Sequence, residues 1–154
     1  ARSVTEDTAG VTYTCAASSA GGPTSASVTI RRDTTPPTVS CFVTPTALWP
    51  ANHKLWNVTA TATASDANAW ALKGLEILSS EADSGLGLDD VPNDIQGFAA
   101  GMTTSGQLRA ERYSKPGRTY TINFTVADEA GNAGTCATSV TVPHDQGKAN
   151  GKNK

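Results

Sequence analysis

Between Thr119 and Val126, apolar and hydroxyl-bearing residues alternate without a break. Tyr120, Ile122, Phe124 and Val126 fall on one side; Thr119, Thr121, Asn123 and Thr125 fall on the other. A period of two with one apolar face is the pattern of a half-buried β-strand. The segment Asp128-Glu-Ala-Gly-Asn132 follows with turn chemistry, and alternation resumes up to Val142. A hairpin over Gly117–Val142 is therefore expected. The segment Gly10–Ile30 has the same layout: Gly-x-Thr-Tyr-Thr, alternation, a Gly-containing turn, then Ser-Val-Thr-Ile where the later copy ends Ser-Val-Thr-Val. It predicts a second hairpin. Further strands are expected over Thr38–Val43, Leu55–Ser65, Gly74–Ser79 and Gln107–Glu111. Short strands separated by turn signals define an all-β class, an antiparallel β-sandwich preceded by a hairpin.

The paired prolines in Asp33-Thr-Thr-Pro-Pro37 cannot continue a ladder and stiffen a connection. They divide the chain into residues 1–32, expected to be the closing hairpin of a preceding, truncated domain; a linker, 33–37; a complete sandwich, 38–143; and a Lys-, Gly- and Asn-rich flexible tail, 144–154. The other reading is a single domain with an N-terminal hairpin packed on it. Three cysteines fit no zinc spacing. Cys41 and Cys136 lie in the first and last strands of the sandwich, which can run side by side, so a bridge between them is expected rather than two separate thiols. Cys15 follows Tyr13 by two residues, in a strand whose partner cysteine would lie upstream of Ala1. A disulfide points to a secreted, extracellular or cell-surface location.

The chain has 154 residues and a formal net charge of -2, which removes the long-range attraction that nucleic acid or an anionic membrane would require. No apolar run approaches the roughly 20 residues of a spanning helix. Thr, Ser, Ala, Val and Gly dominate, a mix that favours strands and turns.

Asp33–Cys41 (DTTPPTVSC), Asp128–Cys136 (DEAGNAGTC) and Ser139–Val142 (SVTV) resemble bacterial extracellular Ig-like repeats of the HYR (hyalin repeat) and PKD-like type. Leu48–Trp56, Glu81–Asp94, Leu108–Ile122 and Val142–Gln146 resemble a terminal variant of such repeats on secreted multidomain proteins. The resemblance implies an Ig-like antiparallel β-sandwich, an extracellular location and a spacer or adhesion role; it does not imply catalysis.

Five of the chain's fourteen carboxylates sit in one loop: Glu81, Asp83, Asp89, Asp90 and Asp94. No Lys or Arg occurs between Gly74 and Leu108, and Gly85 and Gly87 allow tight folding. Calcium takes six to eight oxygens, so calcium binding by these five residues is an expectation; a solvated acidic surface is the plainer reading. The spacing is not that of an EF-hand. A basic run, Arg109, Arg112, Lys115 and Arg118, could pair with the loop within the molecule or in a neighbour. His53 reads as a loop residue bonding the backbone. Trp56 reads as core, whereas Trp70 is the candidate for an exposed, ligand-facing aromatic. The leading expectation is a non-enzymatic structural or adhesion module, calcium-stabilised through the loop, with an extracellular protein, a polysaccharide or neighbouring copies as partner. The alternatives are a carbohydrate-binding accessory of a secreted enzyme and a filament subunit assembling by strand addition.

Overall fold

The structure, a computed structural model, describes residues 3–144, and among them there is no helix. Of the expected tail only His144 lies within that range. Nine strands follow in order: β1 (Thr8–Ser19), β2 (Gly22–Arg32), β3 (Thr38–Thr44), β4 (Leu55–Ser65), β5 (Trp70–Ser79), β6 (Ile95–Gln96), β7 (Thr103–Arg109), β8 (Arg118–Asp128) and β9 (Ala133–Val142). β1 and β2 form a separate two-stranded sheet. The remainder form a four-stranded sheet, β3-β4-β7-β6, and a three-stranded sheet, β5-β8-β9. All named strand pairs are antiparallel.

The alternation read in the sequence decides which side of each strand faces the core. Tyr120, Ile122, Phe124 and Val126 of β8 are fully buried, as are Val140 and Val142 of β9. Across from them, β4 contributes Val58, Ala60 and Ala62, β7 contributes Leu108, and β3 contributes Val43. The small alanines of β4 let the sheets approach, and the large aromatic residues of β8 fill the space. The outward residues of β4 form a hydroxyl ladder instead: Thr59 with Ser105 (2.8 Å), Thr61 with Thr103 (3.2 Å) and Thr63 with Ser40 (2.9 Å).

The chain closes one side of the sandwich by changing sheets. After β3 it leaves β4 and bonds to β9, with Leu48 N–H donating to Thr141 O (2.8 Å) and Thr141 N–H to Thr46 O (2.9 Å). Leu48 is buried there. Cys41 of β3 and Cys136 of β9 are joined by a disulfide, with Cα atoms 6.0 Å apart. Gly134 leaves room for the linker, because a side chain there would run into the Pro37 carbonyl.

Two sequence readings are corrected. Glu111 is not in a strand: β7 ends at Arg109, where the chain bends toward residues 53–54 through Ala110 N–H to Lys54 O (2.8 Å) and His53 N–H to Ala110 O (3.0 Å). Trp56 is not core. It shares the side of Val58, Ala60 and Ala62 but stands at the start of β4, beyond the packed core, and is 36% exposed.

Candidate functional site

The acidic loop between β5 and β6 folds over the end of the sandwich where β7 stops and β8 starts. Arg109 and Arg118 mark that end. Both are buried, and their guanidinium groups hold the loop. Arg118 Nη1 donates to Asp94 Oδ2 and to the Tyr120 hydroxyl (3.2 Å); its Nε donates to Glu81 Oε2 (3.2 Å) and its Nη2 to Ala82 O (3.1 Å). Arg109 Nε donates to Asp94 Oδ1 (3.1 Å), Nη1 to His53 O (2.9 Å), and Nη2 to Pro92 O (3.1 Å) and Asn93 O (3.3 Å). Asp94 thus sits between two arginines. The Tyr120 hydroxyl completes the group by donating to Arg109 O (2.8 Å).

The other carboxylates of the loop bond its own backbone. Glu81 accepts from Tyr113 N–H (2.8 Å) and Ser114 N–H (2.7 Å), Asp83 from Asn93 N–H (3.0 Å) and Asp94 N–H (2.7 Å), and Asp90 from Leu86 N–H (2.8 Å). Asp89 is exposed. Four of the five carboxylates expected to share an ion thus accept from donors of the protein itself, with Glu81 and Asp94 sharing Arg118. The absence of cations between Gly74 and Leu108 is made good by two arginines just beyond it, which is the intramolecular form of the expected acidic–basic pairing.

Protonation follows this wiring. Burial would raise Glu81, but the donors on Ser114 and Tyr113 and the guanidinium of Arg118 hold it below its ordinary range. The backbone N–H groups of Asp94 and Asn93 hold Asp83 low. Burial pushes Asp94 above its ordinary range while Arg118 and Arg109 pull against it. Burial, then the neighbouring Asp90 carboxylate, push Glu111 up; the His53 ring lies 3.1 Å from Glu111 Oε2 and opposes this. Burial raises Tyr120 to about 12.

The opposite end of the sandwich carries a carboxylate group that the sequence reading missed. Asp33 of the linker, Asp66 after β4 and Asp128 at the end of β8 bring ligand oxygens within 4.8 Å of one another. Among the described residues this is the carboxylate group close enough to share one cation, and it stands at the joint with the β1–β2 hairpin. Its members also hold the joint directly. Asn68 Nδ2 donates to Asp33 Oδ2 (2.7 Å), Asn132 Nδ2 donates to Asp33 O (3.2 Å), and Asn132 also donates to both oxygens of Asp128. The only advance signal was that each acid lies at the edge of a predicted strand or of the linker.

Trp70 borders a shallow hollow with Lys73, Asp128 and Glu129, and no second aromatic lines it. No family model, curated protein or solved structure matches the chain.

Proposed function

We propose that the protein is a non-catalytic, extracellular structural module of the Ig-like kind, akin to HYR and PKD-like repeats, that spaces its neighbours along a longer assembly. The observation that carries this is the strand order. Numbered within the sandwich, the sheets run first-second-fifth-fourth and third-sixth-seventh, the order of an Ig constant-type domain. A buried tyrosine near the start of the sixth strand, Tyr120, bonding back to the chain at Arg109, is the corner tyrosine of that architecture. The disulfide favours an extracellular setting. The linker is bonded to the sandwich at Asp33 rather than swinging free, which suits a spacer. The most deeply buried carboxylate, Asp94, is engaged by two arginines, which favours a structural role for it.

Single-molecule stretching tests this. A load-bearing module unfolds in one event while oxidised. Reduction releases the 95-residue separation between Cys41 and Cys136 and lengthens that event by roughly 330 Å. Gradual yielding at low force contradicts the reading. The melting temperature with millimolar calcium against chelator decides the cation. A calcium-specific rise that Asp128→Asn abolishes places an ion at the joint; a rise that Asp89→Asn abolishes places it in the loop; no shift leaves the module metal-free.

A further inference from the structure

At the end of the sandwich that carries the acidic loop, buried carboxylates are met by guanidinium groups, with one exception. Asp94 lies between Arg109 and Arg118, and Glu81 is held by Arg118. Glu111 and Asp90 are bonded by no arginine of the described residues. The Glu111 side chain is 6% exposed. Its Oε1 accepts from Val91 N–H at 3.4 Å, whereas its Oε2 accepts no hydrogen bond, although His53 Nδ1 stands 3.1 Å away. Asp90 has the same defect: Oδ2 accepts from Leu86 N–H (2.8 Å), and the buried Oδ1 accepts from nothing. A buried acceptor without a donor is costly, more so when it carries charge. Both residues line a hollow of about 230 Å³ between the Leu86–Asp90 arm and the connection from β7 to β8. It is smaller than a drug-sized pocket and suits one side chain. Asp89 adds a third carboxylate to its wall. Arg112 also lines it, but that guanidinium is engaged with Pro143 O (3.1 Å) and His144 O (2.9 Å). The lip is apolar. Leu88 is 106% exposed and Tyr113 68%, the two most exposed large hydrophobic side chains among the described residues. A Cβ at Gly87 would come within 3.3 Å of the Tyr113 ring, so glycine there lets the ring lie against the arm.

We propose that this hollow is a docking site for an arginine side chain of a partner protein. Charge complementarity carries the choice. Three carboxylates beside an engaged arginine call for a cation, and the apolar lip calls for one on an apolar stem rather than a bare ion. A guanidinium fork can bond two carboxylates at once and lie on an exposed aromatic ring, which the point charge of lysine does less well. The molecule holds its own template for this arrangement. Arg118 joins Glu81 to Asp94 and lies over the Tyr120 ring, 5.7 Å from its centroid. In the hollow, Glu111 and Asp90 stand where Glu81 and Asp94 do in that template, Tyr113 where Tyr120 does, and the arginine is the missing part. The unpaired oxygens are covered as they stand, so the guanidinium reaches them as the Leu86–Asp90 arm lifts from Glu111, to which the long Val91 N–H bond ties it. The inference goes beyond the spacer reading and fails separately from it: an empty hollow leaves the sandwich of β3–β9 as load-bearing as before.

The test is a titration of the oxidised chain with the peptide Gly-Arg-Gly, acetylated and amidated at its ends, followed by amide NMR shifts. The expected result is a saturable set of shifts confined to Leu86–Val91 and Glu111–Tyr113. The same peptide with citrulline, the neutral isostere of arginine, produces none. Glu111→Gln weakens binding at least about tenfold. Tyr113→Ala, at an exposed position that leaves the fold intact, weakens it about threefold. The spectrum of each variant before peptide is added reports its fold. The absence of localised shifts up to about 50 mM peptide overturns the proposal. So do equal shifts from the citrulline peptide, and binding undiminished in both variants. Shifts of the same amides on raising the protein concentration alone would put a second copy in the hollow, and shifts on adding calcium or zinc alone would put a metal ion there; each overturns it too.

Discussion

The hairpins β1–β2 and β8–β9 share sequence layout, register and turn-flanked length, yet one is the centre of the molecule and the other has a bare face. The alternation of apolar and hydroxyl residues specifies the strands in both. It does not by itself make them stable, because a two-stranded sheet alone is marginal in water. What separates them is the sheet lying across β8–β9 and the residues on the facing side, Arg118, Ile122 and Phe124 in β8 against Val11, Cys15 and Ala17 in β1. The arginine couples the hairpin to a loop of opposite charge. The difference shows that pattern selects the element, while burial and charge pairing select where it is anchored.

Substitutions at matched positions sharpen the contrast. The largest effect is expected from the disulfide. Replacing Cys41 and Cys136 together by Ser removes a link spanning 95 residues of sequence and costs about 4–5 kcal/mol in the chain-entropy account. Cys15→Ser, exposed on the bare face, leaves the urea midpoint where it was. Arg118→Leu removes one of the two guanidinium groups on buried Asp94 and the one on Glu81 and costs about 3–5 kcal/mol in urea unfolding, whereas Val11→Leu changes stability by less than about 0.5 kcal/mol. Equal effects at the two positions would break the comparison. Tyr120→Phe leaves the Arg109 carbonyl without its donor and costs about 1–3 kcal/mol by the same measurement.

The smallest effects are in pH dependence, and they run in two directions. Glu81 and Asp83 titrate lower in the folded protein than in the unfolded chain, so their contribution is present above the ordinary carboxylate range and is lost as pH falls through their lowered values. Glu111 titrates higher, so its contribution is present in acid and declines as pH rises through its raised value. Glu81→Gln should therefore flatten the acid limb of the stability profile, and Glu111→Gln should flatten the decline on its neutral side. Urea midpoints measured from about pH 3 to 7 check both.

Much of the fold was legible from local pattern. Leu55–Ser65 was read to the residue, because its Thr–Ala alternation ends cleanly at Asp66. The Cys41–Cys136 link followed from strand position. β6 escaped, since Ile95–Gln96 is too short to show a period. The site was harder to read because its chemistry is long-range. Asp94 lies 15 residues from Arg109 and 24 from Arg118, and only the β7–β8 connection turns an unneutralised acidic stretch into a set of buried ion pairs. The basic run Arg109, Arg112, Lys115 and Arg118 is the available signal, and it lies outside the acidic loop itself. Asp33, Asp66 and Asp128 come from the linker, the turn after β4 and the end of β8, so their meeting depends on the whole topology.

The most direct test of the account is amide hydrogen exchange on the oxidised chain, read strand by strand. Matched amides of β8–β9, beneath the four-stranded sheet, should exchange only through global unfolding, and those of β1–β2 should exchange by local opening several orders of magnitude faster. Equal protection in the two hairpins would contradict the account, because it would mean that strand pattern, and not the covering sheet with its arginine anchor, sets their stability.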